Sequence, residues 1–261
     1  MQDFVLTLSD TAKAAGFQLV HLAEVGSTNA EALARGAAGE TQPTWVVADR
    51  QTAGKGRWGR SWAGFEGNLF ATLLLTDPAP AARIAELCFV SALALDDALL
   101  TLAPDLESRF KVKWPNDALL DGAKVSGTLI EATTRGTTTQ VAIGIGVNVA
   151  HHPGDMPYPT QSLNGAGIAV DRDQVFAALS RSMVTALAIW RRGQGFNAIR
   201  AGWLARAHNL GGPMVAKSGD RRIEGVFVGL DGEGRLLLDT PDGREMITVG
   251  EVVPALAGTV H

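Results

Sequence analysis

The spacing of apolar residues changes near residue 209, and this change constrains the fold more than any other feature of the chain. Before it, the last predicted helix spans residues 197–207. After it, short apolar runs are separated by Asp231-Gly232 and Asp242-Gly243. Such pairs are typical of β-hairpin turns. The end of the chain is therefore predicted to be a small unit of antiparallel strands.

The length of the chain agrees with two units of unequal size. At roughly 150 residues per domain, 261 residues suffice for one large domain or for a large domain and a small one. The change in spacing favours residues 1–208 as a mixed domain and residues 209–261 as a β domain. Hydrophobic residues make up 46% of the chain, enough for a sizeable core, and charged residues make up 19%, too few for a disordered chain.

Charge and cysteine content narrow the class of protein. The net charge of −4 gives no general attraction for nucleic acid or for an anionic membrane. Cys88 is the only cysteine, which excludes an internal disulfide and fits a reducing compartment. Residues 1–10 lack the basic and apolar regions of a signal peptide, and no run of about 18 apolar residues could span a membrane. We expect a soluble, cytoplasmic protein without a membrane partner.

Residues 141–149 form a predicted strand with two unlike faces. Every odd position is Val or Ile, whereas the even positions are Ala142, Gly144, Gly146 and Asn148. One face is therefore expected to pack on a core, and the other is almost bare backbone. Such a face allows another backbone or a ligand to approach closely. A bulge or tight helix packing explains the same pattern, and the strand alone leaves the alternatives open.

Residues 54–62 form a basic, glycine-punctuated loop with the sequence Gly-Lys-Gly-Arg-Trp-Gly-Arg-Ser-Trp. Lys55, Arg57 and Arg60 supply three positive charges with no acid between them. Glycine permits positive φ and exposes backbone N–H groups, so the loop suits a phosphate chain. The spacing of a Walker A loop is missing. A solvated basic turn explains the loop equally well.

Two further segments carry polar residues suited to chemistry. In the first, residues 113–117 read Lys-Trp-Pro-Asn-Asp, which is also ordinary turn chemistry, and Lys124 follows beside small residues. A lysine in such a place can bring a point charge to a substrate oxyanion. In the second, Thr28 and Glu31 have capping-box spacing, so Thr28 is predicted to cap a helix. Helix N-termini also offer unpaired donors to a ligand.

Taken together, these segments resemble the signature of the biotin protein ligase family, in that family's order and approximate spacing. The resemblance extends over residues 24–251 and departs from the family at Lys55, where an arginine is usual, and at Trp58, where the family is variable. The matching segments are Ser27-Thr28-Asn29, residues 51–62, residues 113–117, Lys124-x-x-Gly127 and Gly144-x-Gly146-x-Asn148.

The resemblance implies an α+β fold. It consists of a mixed β-sheet catalytic domain, related to class II aminoacyl-tRNA synthetases and lipoyl ligases, followed by a small SH3-like β-barrel domain. The residues before Glu24 leave no room for the winged-helix domain of the bifunctional members. We therefore expect a ligase without repressor activity and without a DNA partner. The oligomeric state stays open between a monomer and a homodimer.

The resemblance also implies a reaction in two steps. Biotin and Mg-ATP give biotinoyl-5′-AMP, and the biotinoyl group then passes to a lysine of the biotin carboxyl carrier protein of acetyl-CoA carboxylase. Carriers of other biotin-dependent carboxylases are further candidate partners, and no tightly bound prosthetic group is expected.

Roles follow by position in the matching motifs. Lys124 and Arg57 are the implied catalytic residues, and Asp117 is a candidate Mg²⁺ ligand. The implied biotin-binding residues are Ser27, Thr28, Asn29, Gln51, Gly54, Lys55, Gly56, Arg57, Lys124, Gly127, Gly144 and Gly146. The implied ATP-binding residues are Arg57, Arg60, Trp62, Lys113, Asn116, Asp117, Lys124 and Asn148.

Two alternatives remain at this point. A lipoate or octanoate protein ligase shares the catalytic architecture, although its basic motif differs from residues 54–62. A nucleic-acid-binding module would use the basic loop and its tryptophans on phosphate and base. The net acidic charge argues against that second alternative.

Overall fold

The computed structural model describes residues 6–254. Residues 1–5, and residues 255–261 of the predicted β domain, lie outside the described residues. The helices are α1 (Asp10–Ala14), α2 (Thr28–Ala37), α3 (Leu87–Leu102), α4 (Arg172–Trp190) and α5 (Phe196–Ala205). The strands are β1 (Gln18–Val25), β2 (Thr44–Gln51), β3 (Leu69–Thr76), β4 (Phe110–Lys113), β5 (Asp117–Leu120), β6 (Ala123–Arg135), β7 (Thr138–Val147), β8 (Pro213–Ser218), β9 (Arg221–Leu230), β10 (Leu236–Thr240), β11 (Gly243–Ile247) and β12 (Glu251–Pro254).

The first seven strands form one mixed sheet in the order β1-β2-β3-β7-β6-β5-β4. Strands β1 and β2 are parallel, and all the other neighbours are antiparallel. Helices α3 and α4 pack together against one face of the sheet, and α2 packs against the other. The predicted α+β fold with a mixed sheet is confirmed.

Strand β7 lies in the centre of this sheet, and its two faces differ as the sequence predicts. Val141, Ile143 and Ile145 are buried in the main core with α3 and α4. Ala142 points to the opposite face, where it packs with Ala32 of α2. Because side chains alternate along a strand, Gly144 and Gly146 continue that second face, and Asn29 at the start of α2 lies over Gly144.

The two helix starts predicted from the sequence have different outcomes. At α4, the spacing of Asp171 and Gln174 in the sequence predicts a capped helix, and the two residues form a capping box through reciprocal side-chain and backbone hydrogen bonds. At α2, the prediction that Thr28 is the cap is wrong, because Ser27 occupies the N-cap and Thr28 is already helical. The Thr28 hydroxyl instead lies 3.0 Å from the side-chain oxygen of Gln51. A tertiary partner from β2 thus replaces the local one.

The last five strands form a second, antiparallel sheet in the order β11-β10-β9-β8-β12. Both Asp-Gly pairs lie at hairpin turns as predicted, and Gly243 takes a positive φ of 124°. Strand β12 was not predicted from the sequence, because Gly250 and Pro254 interrupt its apolar pattern. The sheet begins at Pro213 and α5 ends at Ala205, so the boundary between residues 208 and 209 stays a prediction.

Hydrogen bonds join the second sheet to the rest of the molecule. The indole N–H of Trp114 donates to the carbonyl of Gly234 at 3.0 Å, and this hydrogen bond is buried. Arg200 of α5 donates to the carbonyl of Leu230 at 3.3 Å. Gly250 and Glu251, where β12 begins, lie alongside the segment that follows β2, where they contact Arg57 and Arg60.

No helix in the described part of the chain has the length and hydropathy needed to cross a membrane.

Candidate active site

A cleft opens on the α2 side of the first sheet, at the N-terminal end of α2. All five segments singled out in the sequence contribute residues to it, although they lie far apart in the chain. The predicted residues that line it are Ser27, Thr28, Asn29, Gln51, Lys55, Gly56, Arg57, Arg60, Trp62, Lys113, Asn116, Asp117, Lys124, Gly127, Gly144 and Gly146.

Two lysines share one carboxylate inside the cleft. The ammonium nitrogen of Lys124 lies 2.6 Å from one oxygen of Asp117, and that of Lys113 lies 3.1 Å from the other. Asp117 is buried, and burial by itself raises the pKa of a carboxyl group. The two ammonium groups outweigh burial and hold the pKa of Asp117 below its usual value. The cluster therefore carries two positive charges against one negative charge.

Lys124 is followed three residues later by Gly127, and the structure shows why this position needs a glycine. A Cβ atom at this position would lie 3.2 Å from the Lys124 ammonium nitrogen and 3.3 Å from the Trp62 ring. Pairing of β5 with β6 shifts register between Ala118 and Leu119, so the strands are irregular beside Lys124. The missing side chain leaves room for the lysine and the indole to lie side by side.

The basic loop is a small hairpin rather than an unstructured turn. Lys55 and Ser61 form an antiparallel bridge, and the Gly56 N–H donates to the Arg60 carbonyl at 2.7 Å. Trp58 lies at the exposed tip with a φ of 60°. Because this left-handed conformation disfavours most residues other than glycine, the tip adopts a backbone conformation that the sequence pattern does not signal.

Two arginines of this hairpin reach across the cleft. The Arg57 guanidinium donates to the side-chain oxygen of Asn116 at 3.3 Å and to the carbonyl of Gly250 at 3.2 Å. Arg60 forms an ion pair with Glu251, with a shortest N–O distance of 2.5 Å. The hairpin thus bridges the first sheet and strand β12.

The glycine face of β7 is covered by two side chains of the site. A Cβ atom at Gly146 would lie 2.4 Å from the Trp62 indole, and one at Gly144 would lie 2.2 Å from the side-chain oxygen of Asn29. From the sequence, a bulge, tight packing and the approach of a ligand were alternative explanations for these glycines. The structure shows close side-chain packing at both positions. The indole N–H of Trp62 is buried on this face and has no hydrogen-bond partner among residues 6–254.

The other end of the cleft holds a buried polar network. The side-chain oxygen of Gln51 accepts from the Thr28 backbone N–H at 2.8 Å. Thr72, which the sequence analysis missed, places its hydroxyl 2.8 Å from that of Thr28 and 2.7 Å from the Asn29 oxygen. Asn29 donates in turn to Glu131 at 2.7 Å. This network can present fixed hydrogen-bonding groups to a polar ring.

Two predicted site residues do not line the cleft. Gly54 lies at the base of the basic hairpin, where a Cβ atom would approach the Trp62 carbonyl to 2.8 Å. Asn148 is buried, and its amide donates to the carbonyl of Gln161 at 3.2 Å. Their implied ligand contacts therefore stay predictions, and the structure gives each a local packing partner instead.

Several lining residues escaped the sequence analysis. Tyr158 is the most prominent, since residues 151–167 read as a surface loop without chemical signal. Strand β12 supplies others, and no motif marked it. Ser61, Trp114 and Pro115 lie within the matching segments but had no predicted role. The lining residues outside those segments are Phe70, Thr128, Leu129, Ile145, Tyr158, Glu251, Val252 and Val253.

The side chains that line the cleft provide few ligands for a metal ion. No group of three or more His, Cys, Asp or Glu side chains suited to a metal occurs within residues 6–254. Both carboxylate oxygens of Asp117 are engaged by lysines, so this residue does not fit a Mg²⁺ ligand in the observed arrangement. A Mg²⁺ ion carried by a nucleotide would be held chiefly by phosphate oxygens, as is usual for that ion.

The arrangement can bring two anions together. Lys113, Lys124 and Arg57 all line the cleft and supply positive charge to it. Charge–charge interactions are strong in a partly buried site, where water screens them less. Such a cleft suits the reaction of a carboxylate with a phosphate chain.

Comparisons with known proteins agree with this chemistry. Residues 26–148 match the Biotin/lipoate A/B protein ligase family, and residues 213–253 match the Biotin protein ligase C terminal domain. The chain is 43% identical over 242 residues to the biotin–[acetyl-CoA-carboxylase] ligase of Paracoccus denitrificans, which covers 88% of this chain and 98% of that protein. It is 31% identical over 244 residues to the enzyme of the same name from Mycobacterium tuberculosis, covering 90% and 88%.

A solved structure is similar over nearly the whole chain. Biotin protein ligase from Aquifex aeolicus, in complex with biotin and ATP, has a TM-score of 0.76 at 29% identity and covers 91% of this chain and 99% of that one. Both the mixed sheet and the antiparallel sheet thus have counterparts in one relative. From its two matching domains and these similarities along its length, the chain belongs to the biotin protein ligase family.

Proposed function

We propose that this protein activates biotin with ATP and transfers it to a lysine of the carrier domain of acetyl-CoA carboxylase. One observation carries the proposal. Lys113 and Lys124 both form ion pairs with Asp117, inside a cleft lined by all five predicted segments. The relatives from Paracoccus and Mycobacterium carry this activity in their names, and the Aquifex relative binds biotin and ATP.

In the first step, a biotin carboxylate oxygen attacks the α-phosphorus of ATP. The bond between the α-phosphorus and the bridging oxygen breaks, which releases pyrophosphate and leaves biotinoyl-5′-AMP. Both reactants are anions, so their approach is opposed until positive charge offsets it. In this proposal, the Lys124 ammonium lies between the carboxylate and the α-phosphate, and Lys113 and Arg57 hold the remaining phosphate charge. Such fixed charges stabilise a developing negative charge without rearrangement.

The polar network at the α2 end is the proposed site for the biotin ring. Ser27 lines the cleft and makes no capping bond with its side chain, so its hydroxyl is free for a ligand. Thr28, Asn29 and Gln51 already fix one another, which orients their remaining hydrogen-bonding capacity in advance. Preorganised polar groups bind with less loss of entropy than mobile ones do.

The basic hairpin is the proposed cover of the adenylate. The mixed anhydride reacts with water, so it must be protected until the carrier lysine arrives. Arg57 and Trp62 line the cleft from the same hairpin, and closing over the nucleotide would exclude solvent. The carrier amine then attacks the acyl carbon, the C–O bond to AMP breaks, and the amine loses a proton.

Location and assembly are part of the same proposal. We propose a cytoplasmic location for two reasons. The reaction needs ATP, which the cytoplasm supplies, and a chain whose one cysteine is Cys88 fits a reducing compartment. Carriers of other biotin-dependent carboxylases are further proposed substrates, because the carrier lysine is the reacting group. Monomer and homodimer both remain compatible with the cleft, since one chain supplies all of its lining residues.

A labelling experiment tests this function against its nearest alternative. The purified protein is incubated with Mg-ATP, a biotin carboxyl carrier domain and either biotin or lipoate. We expect a streptavidin blot to show ATP-dependent labelling with biotin, and mass spectrometry to show no modification with lipoate. Modification with lipoate alone would identify a lipoyl ligase instead. Salt-dependent binding to oligonucleotides without any turnover would support a nucleic-acid-binding module.

A further inference from the structure

We propose that Tyr158 is a positioning residue for the adenylation step, and that its ring holds the ammonium groups of Lys124 and Lys113 where the two anionic substrates meet. The inference rests on the proposed function, because it assigns a contribution to the same cleft. The Lys124 ammonium nitrogen lies 5.6 Å from the centroid of the Tyr158 ring, and that of Lys113 lies 5.8 Å from it. Both distances are within the range of cation–π attraction, about 6 Å.

The loop that carries Tyr158 is fixed at its start by Asn68. The side-chain oxygen of this fully buried asparagine accepts from the backbone N–H groups of Val149, Ala150 and His151, each at 3.0 Å. Its amide donates to the carbonyl of His151 at 2.9 Å. Four hydrogen bonds from one buried side chain therefore fix the chain where β7 ends and this loop begins.

The other side of Tyr158 is fixed to Lys124 itself. The Lys124 backbone N–H donates to the Pro159 carbonyl at 2.9 Å, and the Gln161 N–H donates to the Lys124 carbonyl at 3.0 Å. Lys124 and Thr160 form a parallel bridge through these bonds. The segment 158–161 thus holds the backbone of Lys124 while the ring of Tyr158 holds its ammonium group.

The Lys124 ammonium has a defined set of neighbours. It lies 5.6 Å from the centroid of the Trp62 ring as well as from that of Tyr158, and 2.6 Å from an Asp117 oxygen. Asp117 is shared with Lys113, so one carboxylate must offset two positive charges. The ring of Tyr158 faces both ammonium groups and supplements that carboxylate.

An aromatic face is suited to this task for a physical reason. Its quadrupole attracts a cation without forming the strong hydrogen bond that a second carboxylate would form. The N–H groups of Lys124 that do not bond to Asp117 are therefore left for the carboxylate and the α-phosphate. Losing the ring would let the lysine side chains adopt other rotamers, and the positive charge would be less well aligned with the reacting atoms.

The phenol group is not needed for this contribution. Burial raises the pKa of Tyr158 above its usual value, and the negative charge of Asp117 raises it further, so the hydroxyl stays neutral at physiological pH. The ring alone is common to tyrosine and phenylalanine. This equivalence allows a clean test, because Tyr158 is the only tyrosine in the chain.

The test compares Tyr158→Leu with Tyr158→Phe in biotin-dependent ATP–pyrophosphate exchange. We expect kcat to fall about tenfold in the leucine variant, within the range of cation–π energies, and KM for biotin to stay within about twofold. We expect the phenylalanine variant to recover most of the rate. Asp155→Ala, at an exposed position of the same loop, serves as the matched control. Circular dichroism and thermal melting check that all variants fold.

Three kinetic outcomes would overturn the inference. An unchanged kcat in Tyr158→Leu would show that the ring does not position the lysines. Equal losses in the leucine and phenylalanine variants would assign the effect to the hydroxyl. A raised KM for biotin with an unchanged kcat would make Tyr158 a binding residue instead. Absence of exchange in the wild-type protein would overturn the proposed function, and this assignment with it.

A spectroscopic measurement separates the contact from the function. Biosynthetic labelling with 3-fluorotyrosine gives a single ¹⁹F resonance from Tyr158. We expect Lys124→Met, which keeps the length of the side chain and removes its charge, to shift this resonance in the protein without substrates. An unshifted resonance would overturn the inference, whatever the activity of the enzyme.

Discussion

At the scale of single residues, the positive charge of the cleft depends on how Lys113, Lys124 and Asp117 share their charges. Asp117 forms an ion pair with each lysine, at 2.6 Å from the Lys124 ammonium nitrogen and 3.1 Å from that of Lys113. The carboxylate cannot neutralise both lysines, so the cluster keeps a net positive charge. This net positive charge would attract the biotin carboxylate and the phosphates of ATP.

Lys124→Ala tests the catalytic assignment. We expect the rate of adenylate formation to fall by about 10²–10³, the usual loss when one fixed electrostatic stabiliser is removed. Biotin-dependent ATP–pyrophosphate exchange measures this rate, and circular dichroism reports whether the fold is kept. Near-normal exchange in a folded Lys124→Ala protein would refute the assignment.

Asp117→Asn tests the pKa shift of the shared carboxylate. The folded-state pKa of Asp117 lies below its unfolded value, so the ionised carboxylate stabilises the fold. This stabilisation is fully present above the unfolded pKa of about 3.9 and is lost as pH falls through the lower folded pKa. We therefore expect the difference in unfolding free energy between the wild type and Asp117→Asn to be largest above about pH 4.

Urea unfolding of both proteins at pH 7 and near pH 3 measures that difference. The other carboxyl groups titrate in both proteins, so the comparison isolates Asp117. A difference that grows as the pH falls below 4 would contradict the assigned direction of the shift.

At the scale of elements, the basic hairpin of residues 54–62 links the two sheets and borders the cleft. Its backbone is closed by the Lys55–Ser61 bridge, and its arginines reach Asn116, Gly250 and Glu251. The sequence predicts the charge and the glycines of this element. It does not predict the hairpin contacts, because their partners lie some 60 and 190 positions away in the chain.

Arg57→Gly tests the covering function of the hairpin. The substitution removes the hydrogen bonds to Asn116 and Gly250, and charged hydrogen bonds of this kind contribute about 1.5–3 kcal/mol each. We expect biotinoyl-5′-AMP to dissociate at least about tenfold faster. Stopped-flow tryptophan fluorescence can follow the dissociation, with Glu66→Ala at an exposed position as the control. An unchanged dissociation rate would refute the covering function.

Gly144→Ala tests the close packing on β7. A methyl group there would lie 2.2 Å from the Asn29 oxygen, so Asn29 would have to leave its contacts with Thr72 and Glu131. We expect a loss of about 1–3 kcal/mol in unfolding free energy, as for other overpacked sites.

Gly154→Ala is the matched control for this substitution. A Cβ atom there meets nothing within 4 Å, so its effect should stay within about 0.5 kcal/mol. Equal stability of the two variants in urea unfolding would contradict the close packing at Gly144.

The elements that the sequence predicts best have strong local patterns. The alternation in β7 and the capping box of α4 were identified because neighbouring residues carry the signal. Strand β1 was missed, because its burial pattern does not alternate and its stability depends on pairing with β2. The cap of α2 was misassigned, because Gln51 and Thr72 bind Thr28 from distant strands.

At the scale of the whole molecule, the net charge of −4 hides an uneven distribution of charge. Acidic residues outnumber basic ones along the chain, yet the cleft gathers Lys55, Arg57, Arg60, Lys113 and Lys124. The motifs predicted this cluster, because their order in the chain matched the family. Tyr158 and Glu251 had no such signal, and only the folded chain brings the loop after β7 and strand β12 to the cleft.

The second sheet is part of the site as well as a neighbour of it. Glu251 binds Arg60, and the Gly250 carbonyl accepts from Arg57. The buried bond from Trp114 to Gly234 holds the two sheets together beside the lysine cluster. A site shared in this way explains why the resemblance to the family runs through both parts of the chain rather than through the first sheet alone.

Transfer of biotin to a carrier lysine tests the central claim most directly. Wild-type protein and Lys124→Ala are each incubated with biotin, Mg-ATP and a carrier domain, alongside a carrier whose acceptor lysine is replaced by arginine. We expect streptavidin-detectable labelling by the wild type alone, and only on the carrier with its lysine. No labelling by the wild type, or undiminished labelling by Lys124→Ala, would contradict it.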